Sequence, residues 1–196
     1  MPKVQPEKVY QLHISLKYIK PPIWRRFFVT DDTTIAKLHS IIQIVMGWDD
    51  EHLHEFTLGG MKIGEPHEDW FDSEIKNEKK VRLGELNLEE QQKFEYLYDF
   101  GDGWQHEINV EKILPVESGI KYPKCIAGER ACPPEDCGSY PGYDELVELI
   151  RLPKDNLDED DLYRLEWLAE WYGEDYDFDY FSVDHVNSFL WKMRAR

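Results

Sequence analysis

The chain has 196 residues, 41% of them hydrophobic and 14% aromatic, with 32% charged and a net charge of −17. Apolar residues run through nearly the whole length, which excludes a disordered chain and leaves room for one sizeable core. The acidic balance disfavours bulk binding to nucleic acid, which is driven by basic side chains displacing counterions.

The start, Met1-Pro2-Lys3-Val4-Gln5-Pro6, has no apolar signal-peptide core. No stretch approaches the roughly 20 apolar residues of a membrane span. Cys125, Cys132 and Cys137 are an odd number crowded into one segment. That pattern predicts reduced thiols and a cytoplasmic protein rather than a secreted disulfide framework. The first thirty residues carry Lys3, Lys8, Lys17, Lys20, Arg25 and Arg26, whereas acid dominates from Glu135 onward. The basic end is expected to pair with the acidic end, within the fold or between copies. A small basic groove for an anionic ligand is the sharper alternative.

Val9 to Ile19 alternates Tyr10, Leu12, Ile14, Leu16 and Tyr18 with Gln11, His13, Ser15 and Lys17, the period of a half-buried strand. Pro21-Pro22 breaks it, and Ile23 to Val29 reads as a second strand. Thr33 or Thr34 then suits a helix N-cap; Ile35, Leu38, Ile41, Ile42 and Val45 follow at helical spacing until Gly47. Leu53–Leu58 and Met61–Ile63 flank Gly59-Gly60 as a hairpin. Residues 64–80 read as polar and irregular, with a short helix after Leu83. Phe94–Phe100 and Trp104–Leu114 are two strands joined by Gly101-Asp102-Gly103. A loop rich in Pro, Gly and Cys runs over 115–141, and a loop that long calls for a function or a staple. Tyr143–Leu152, Leu162–Tyr172 and Val183–Met193 each have helical periodicity.

Strands first and helices last predict an α+β fold, a mostly antiparallel sheet with helices packed on one side. The expected organisation is a single domain over 1–196: strand-rich 8–114, the loop 115–141 and a helical C-terminal third over 142–196.

Several motifs occur in order: Pro21-Pro22-Ile23-Trp24-Arg25-Arg26, Leu38-His39-Ser40-Ile41-Ile42-Gln43, Met46-Gly47-Trp48 and His52-Leu53-His54-Glu55-Phe56. Tyr98-Asp99-Phe100-Gly101-Asp102-Gly103-Trp104-Gln105-His106 follows, then Cys132-Pro133-Pro134-Glu135-Asp136-Cys137-Gly138 with Gly142-Tyr143. With these the chain resembles the plasmid pRiA4b ORF-3-like family, also met as an insertion-element passenger protein labelled TnpR. The resemblance implies a plasmid or mobile-element origin. The resolvase label does not carry over, because the chain lacks a nucleophilic serine among clustered arginines.

Four constellations could carry chemistry. Cys125, Cys132 and Cys137 could hold zinc with a histidine as fourth ligand, His54 first and His52 or His39 as alternatives. The opposing reading makes them ordinary buried thiols. His52, His54, Asp99, Asp102 and His106 could converge on a divalent metal or act as acid and base. The plainer reading has Asp99 and Asp102 cap the glycine-rich turn. Glu135-Asp136, between Pro134 and Cys137-Gly138, could present a carboxylate pair to a cation or cap a turn. Arg25 and Arg26 could bind an anion, although neighbours in a strand face opposite ways and pairing with internal acids is the plainer role.

No phosphate loop, serine elbow or dinucleotide fingerprint is present. The favoured function is therefore a non-enzymatic binding or interaction module for a protein or small ligand, with surface aromatics Trp70, Phe71, Trp167, Trp171 and Tyr172. The alternative is a metal-dependent, hydrolytic enzyme built on the His/Asp cluster. A nucleic-acid role for the basic strands ranks third, and no membrane role is expected.

Overall fold

The protein is described by a computed structural model, which covers residues 6–66 and 75–194. Trp70 and Phe71 lie outside the described residues.

The alternating segment forms β1 (Lys8–Leu16), an interior strand antiparallel to both β2 (Trp24–Thr30) and β7 (Trp104–Pro115). Its Tyr10, Leu12, Ile14 and Leu16 are buried, while Gln11, His13 and Ser15 face the half-open side. The remaining strands are β3 (His54–Leu58), β4 (Met61–Gly64), β5 (Lys76–Asn77), β6 (Lys93–Tyr98) and β8 (Lys124–Glu129). They complete an eight-stranded sheet in the order β5-β4-β3-β6-β7-β1-β2-β8. Every pairing is antiparallel except β4 with β5.

Helix α1 (Ile35–Met46) fills the inner face of this sheet. Thr34 caps it, its hydroxyl accepting from Lys37 N at 3.2 Å, and Ile35, Leu38, Ile41, Ile42 and Val45 are its buried stripe. Gly47 ends it at φ 103°, a left-handed conformation that glycine reaches without a Cβ clash. Helices α2 (Ser139–Arg151), α3 (Glu159–Tyr172) and α4 (Val183–Arg194) complete the α+β architecture. Asp158 and Asp161 form a reciprocal capping box at the start of α3, where three acids also suit the helix dipole. One apolar core joins residues from Tyr10 to Leu190. No helix among the described residues is long and apolar enough to cross a membrane.

Two boundaries differ from the sequence expectation. The segment 115–141 is no continuous loop: β7 runs on to Pro115, β8 pairs with β2, and α2 begins at Ser139. Of residues 64–80, those at 67–74 lie outside the described residues, and Lys76–Asn77 forms the short strand β5. Two of the N-terminal cations pair with acids of the sheet rather than with the acidic C-terminal runs, and Lys3 lies outside the described residues. Lys17 pairs with Glu95, and Arg26 grips Glu111 bidentately at 2.6 and 2.7 Å, both on the sheet.

Candidate cation site

The loop between α1 and β3 carries His52, and its backbone is held from several sides. Asp50 N donates to Gln43 Oε1 at 3.1 Å, Glu51 N to the Tyr98 hydroxyl at 3.1 Å, and Asp49 N to Glu135 Oε1 at 3.0 Å. Asp50 also accepts from His39. The Gln43 amide donates to the Tyr96 hydroxyl at 2.9 Å, which leaves the phenolic proton for His39 Nδ1 at 2.8 Å. His39 Nε2–H therefore points at Asp50 Oδ1, 2.6 Å away. Burial, and then the neighbouring His54, hold the His39 pKa below its ordinary value, consistent with this neutral form.

Three segments distant in sequence meet at His52. Its Nε2 stands 3.3 Å from Asp136 Oδ1 and 3.4 Å from Glu135 Oε2, and its Nδ1 stands 3.8 Å from Asp99 Oδ1. Nε2 is buried and has no hydrogen-bond partner, so these approaches lack hydrogen-bond geometry. Two ligand atoms about 2.0–2.1 Å from one ion at a tetrahedral angle stand about 3.3–3.4 Å apart. The Nε2 spacings to Asp136 and Glu135 match that value, while Asp99 stands nearer the other ring nitrogen. Among the described residues, His52, Asp99 and Asp136 are the one group whose ligand atoms all lie within 4.8 Å of one another.

The carboxylates are placed by unusual backbone. Asp99 and Asp136 sit at φ 54° and 55°, in the left-handed region where aspartate is tolerated better than most residues. Asp99 Oδ1 accepts from Gly101 N at 2.8 Å, so the turn-capping role holds beside the cluster role. Glu135 accepts from the Tyr98 hydroxyl at 2.9 Å, and burial pushes its pKa up. Asp102 presents a buried Oδ2 without a hydrogen-bond partner, while its carbonyl accepts from the Ser139 hydroxyl.

The other sequence candidates go elsewhere. His54 diverges from His52 because β3 begins at His54, so strand alternation does not extend back to residue 52. His54 Nε2 meets the buried Glu78 at 2.6 Å, and its ring stacks on His39 with centroids 3.3 Å apart and planes within 4°. His106 is fully buried beneath Trp48, its Nδ1 on Tyr96 O.

The cysteine–His54 set does not assemble. None of Cys125, Cys132 and Cys137 joins the single ligand group, and all three are free, buried thiols. Cys125 is held in β8, its thiol 3.6 Å from Arg26 O and Ala127 O. Burial raises its pKa to about 11 and that of Cys137 to about 12. The two arginines split across the sheet as neighbouring strand residues must. Arg26 is satisfied by Glu111 and offers no open anion site. Arg25 is 1% exposed and donates to four carbonyls, those of Val45, Met46, Trp24 and Glu129. Of the surface aromatics, Trp171 is exposed, whereas Trp167 and Tyr172 pack against the core.

This arrangement sits in a chain with close relatives. It is 32% identical over 194 residues to "Uncharacterized protein y4hQ" of Sinorhizobium fredii, covering 96% of each. It is also similar to the crystal structure of the protein of unknown function MM3350 from Methanosarcina mazei Go1. There the TM-score is 0.80 at 40% identity, covering 92% of this chain and 98% of that one. The model of the family described as plasmid pRiA4b ORF-3-like protein matches residues 8–185. That span takes in β1 through the start of α4 and every residue of the His52 cluster, and the chain belongs to the plasmid pRiA4b ORF-3-like family.

Proposed function

We propose that this protein is a binding module whose ligand includes a divalent cation, held by His52, Asp99 and Asp136 with Glu135 beside them. The observation that carries the reading is the buried, unpartnered His52 Nε2 between two carboxylates at 3.3 and 3.4 Å. One imidazole among carboxylates suits Mn2+ or Zn2+ rather than the thiolate-rich sites of softer ions. The family description supports a plasmid-associated setting, and three reduced, buried thiols support a cytoplasmic one. The net charge of −17 favours a protein or small ligand over nucleic acid as partner.

Calorimetric titration with Mn2+ and with Zn2+ tests the reading. One ion should bind per chain, and His52→Ala or Asp136→Asn should weaken it by tenfold or more, about the loss typical of a disturbed metal shell. Absence of stoichiometric binding, or binding indifferent to both substitutions, rejects it.

A second reading is favoured by the ligand count. Few protein ligands leave coordination positions open for water, as in catalytic rather than structural sites. A metal-dependent hydrolase would then show turnover on a phosphoester and amide panel with Mn2+, lost in His52→Ala and with EDTA.

A further inference from the structure

A groove of about 630 Å³ lies between the end of α1, the Ala131–Pro133 segment, the chain after α3 and the face of α4. That volume is in the range of small-ligand sites. Its walls are aromatic and aliphatic, with Trp48, Tyr172, Tyr176, Phe181 and Phe189 among them, and Ile44 and Met193 beside those rings.

The polar groups of the groove are unevenly available. Gln43 is engaged at both ends, by Asp50 N and the Tyr96 hydroxyl. The Tyr176 hydroxyl donates to Cys132 O at 2.6 Å, and Ser182 Oγ accepts from His185 N. Arg25 directs four N–H groups at backbone carbonyls, and Phe181 covers its guanidinium face at 4.1 Å. Ser40 Oγ donates to Ala36 O and the Tyr172 hydroxyl accepts from Glu135 N, while Tyr180 and His185 line the exposed side. The groove's negative charge comes from two carboxylates. Asp49 is exposed and makes no ion pair among the described residues; Asp50 is exposed and bonds His39 through one oxygen.

We propose that this groove binds a small organic cation, an ammonium carried on an apolar body. Asp49 and Asp50 supply the charge at the mouth, and the rings of Trp48, Tyr172 and Tyr176 offer π-surface to a cation they can desolvate, since Phe181 already faces Arg25 and Phe189 the Lys192 ammonium at 4.9 Å. The apolar body lies against Ile44, Phe189 and Met193. Charge complementarity selects this occupant: an anion would meet Asp49 and Asp50, while the groove's one buried cation is already satisfied by carbonyls.

The groove shares no lining residue with the His52 cluster, so titrations of the intact protein in EDTA test it without the metal. The probes are benzyltrimethylammonium, benzyl alcohol and benzoate, followed by calorimetry. The ammonium should bind one site about tenfold tighter than the alcohol, and benzoate should not bind, on the strength of desolvated cation–π contacts. Phe189→Ala, at a half-exposed helix position, should weaken ammonium and alcohol alike. Asp49→Asn should shrink the preference for ammonium while leaving the alcohol unchanged. Benzoate binding as well as the ammonium, no ammonium binding at millimolar concentration, or an unchanged preference in Asp49→Asn would each overturn the proposal.

Discussion

The side-chain amide of Asn187 in α4 holds both backbone groups of Cys125 in β8. Its Oδ1 accepts from Cys125 N and its Nδ2 donates to Cys125 O, each at 2.9 Å. The amide takes the place of a neighbouring strand at the outermost position of the sheet, where unpaired backbone would otherwise invite another chain. Asn187→Ala orphans two buried backbone groups. The expected loss is about 2–4 kcal/mol, measured as a lower urea midpoint with an unchanged m-value.

Arg25 should not tolerate lysine. Its planar fork reaches four carbonyls around the end of α1, which an ammonium on a single stem cannot do. Arg25→Lys should cost at least about 3 kcal/mol, because a charge stays buried while most of its acceptors are lost. Stability equal to wild type in denaturant titration would show that the carbonyl contacts contribute nothing net.

Gly128 is where Arg25 and Phe181 cross β8. A Cβ there would stand 2.6 Å from the Phe181 ring and 2.8 Å from Arg25 Cδ. Gly128→Ala should therefore destabilise by about 1–3 kcal/mol through overpacking. It should also displace Phe181 in the groove, visible as changed chemical shifts of the Phe181 ring in a spectrum of the labelled protein.

His106 sets a pH dependence. Burial holds its pKa at about 3, whereas the unfolded chain takes up that proton near about pH 6.5. Between those values the unfolded state binds more protons, so stability falls as pH drops through this window and is flat above it. The slope from one such group approaches about 1.4 kcal/mol per pH unit. His13 and His39 also have lowered values and add to the wild-type slope. The contribution of His106 is isolated by comparing urea midpoints of wild type and His106→Asn between about pH 6 and about pH 4. The variant should start less stable and fall less steeply; parallel lines would contradict the assignment.

Local signals made much of this fold readable. The Thr34 cap, the Ile35-to-Val45 stripe and Gly47 state a helix by themselves, and the alternation of Tyr10 to Leu16 states a strand. β8 was not readable, because Lys124-Cys125-Ile126-Ala127-Gly128-Glu129 has weak alternation and an internal glycine. Its pairing comes from β2 and from Asn187, both far away in sequence. The candidate site was half readable. His52, Asp99 and Glu135-Asp136 stood out by chemistry, but which of them meet depends on left-handed turns at Asp99 and Asp136 that no periodicity reports. The cysteines mislead for a related reason: Cys125 lies in β8 and Cys132 and Cys137 beyond it, and all three are buried in the apolar core without forming a ligand group.

Glu135 has its side chain at the His52 cluster and its backbone at the groove. Its amide donates to the Tyr172 hydroxyl at 2.6 Å, and Tyr172 lines the groove wall. A guest that shifts this phenol alters the strap carrying Glu135 and Asp136, and a change in that strap is felt at the phenol. Should both proposed guests bind, any cooperation or antagonism between them must be mutual and equal in free energy. The segment from Pro133 to Asp136 is thus a shared wall through which two small guests would sense each other.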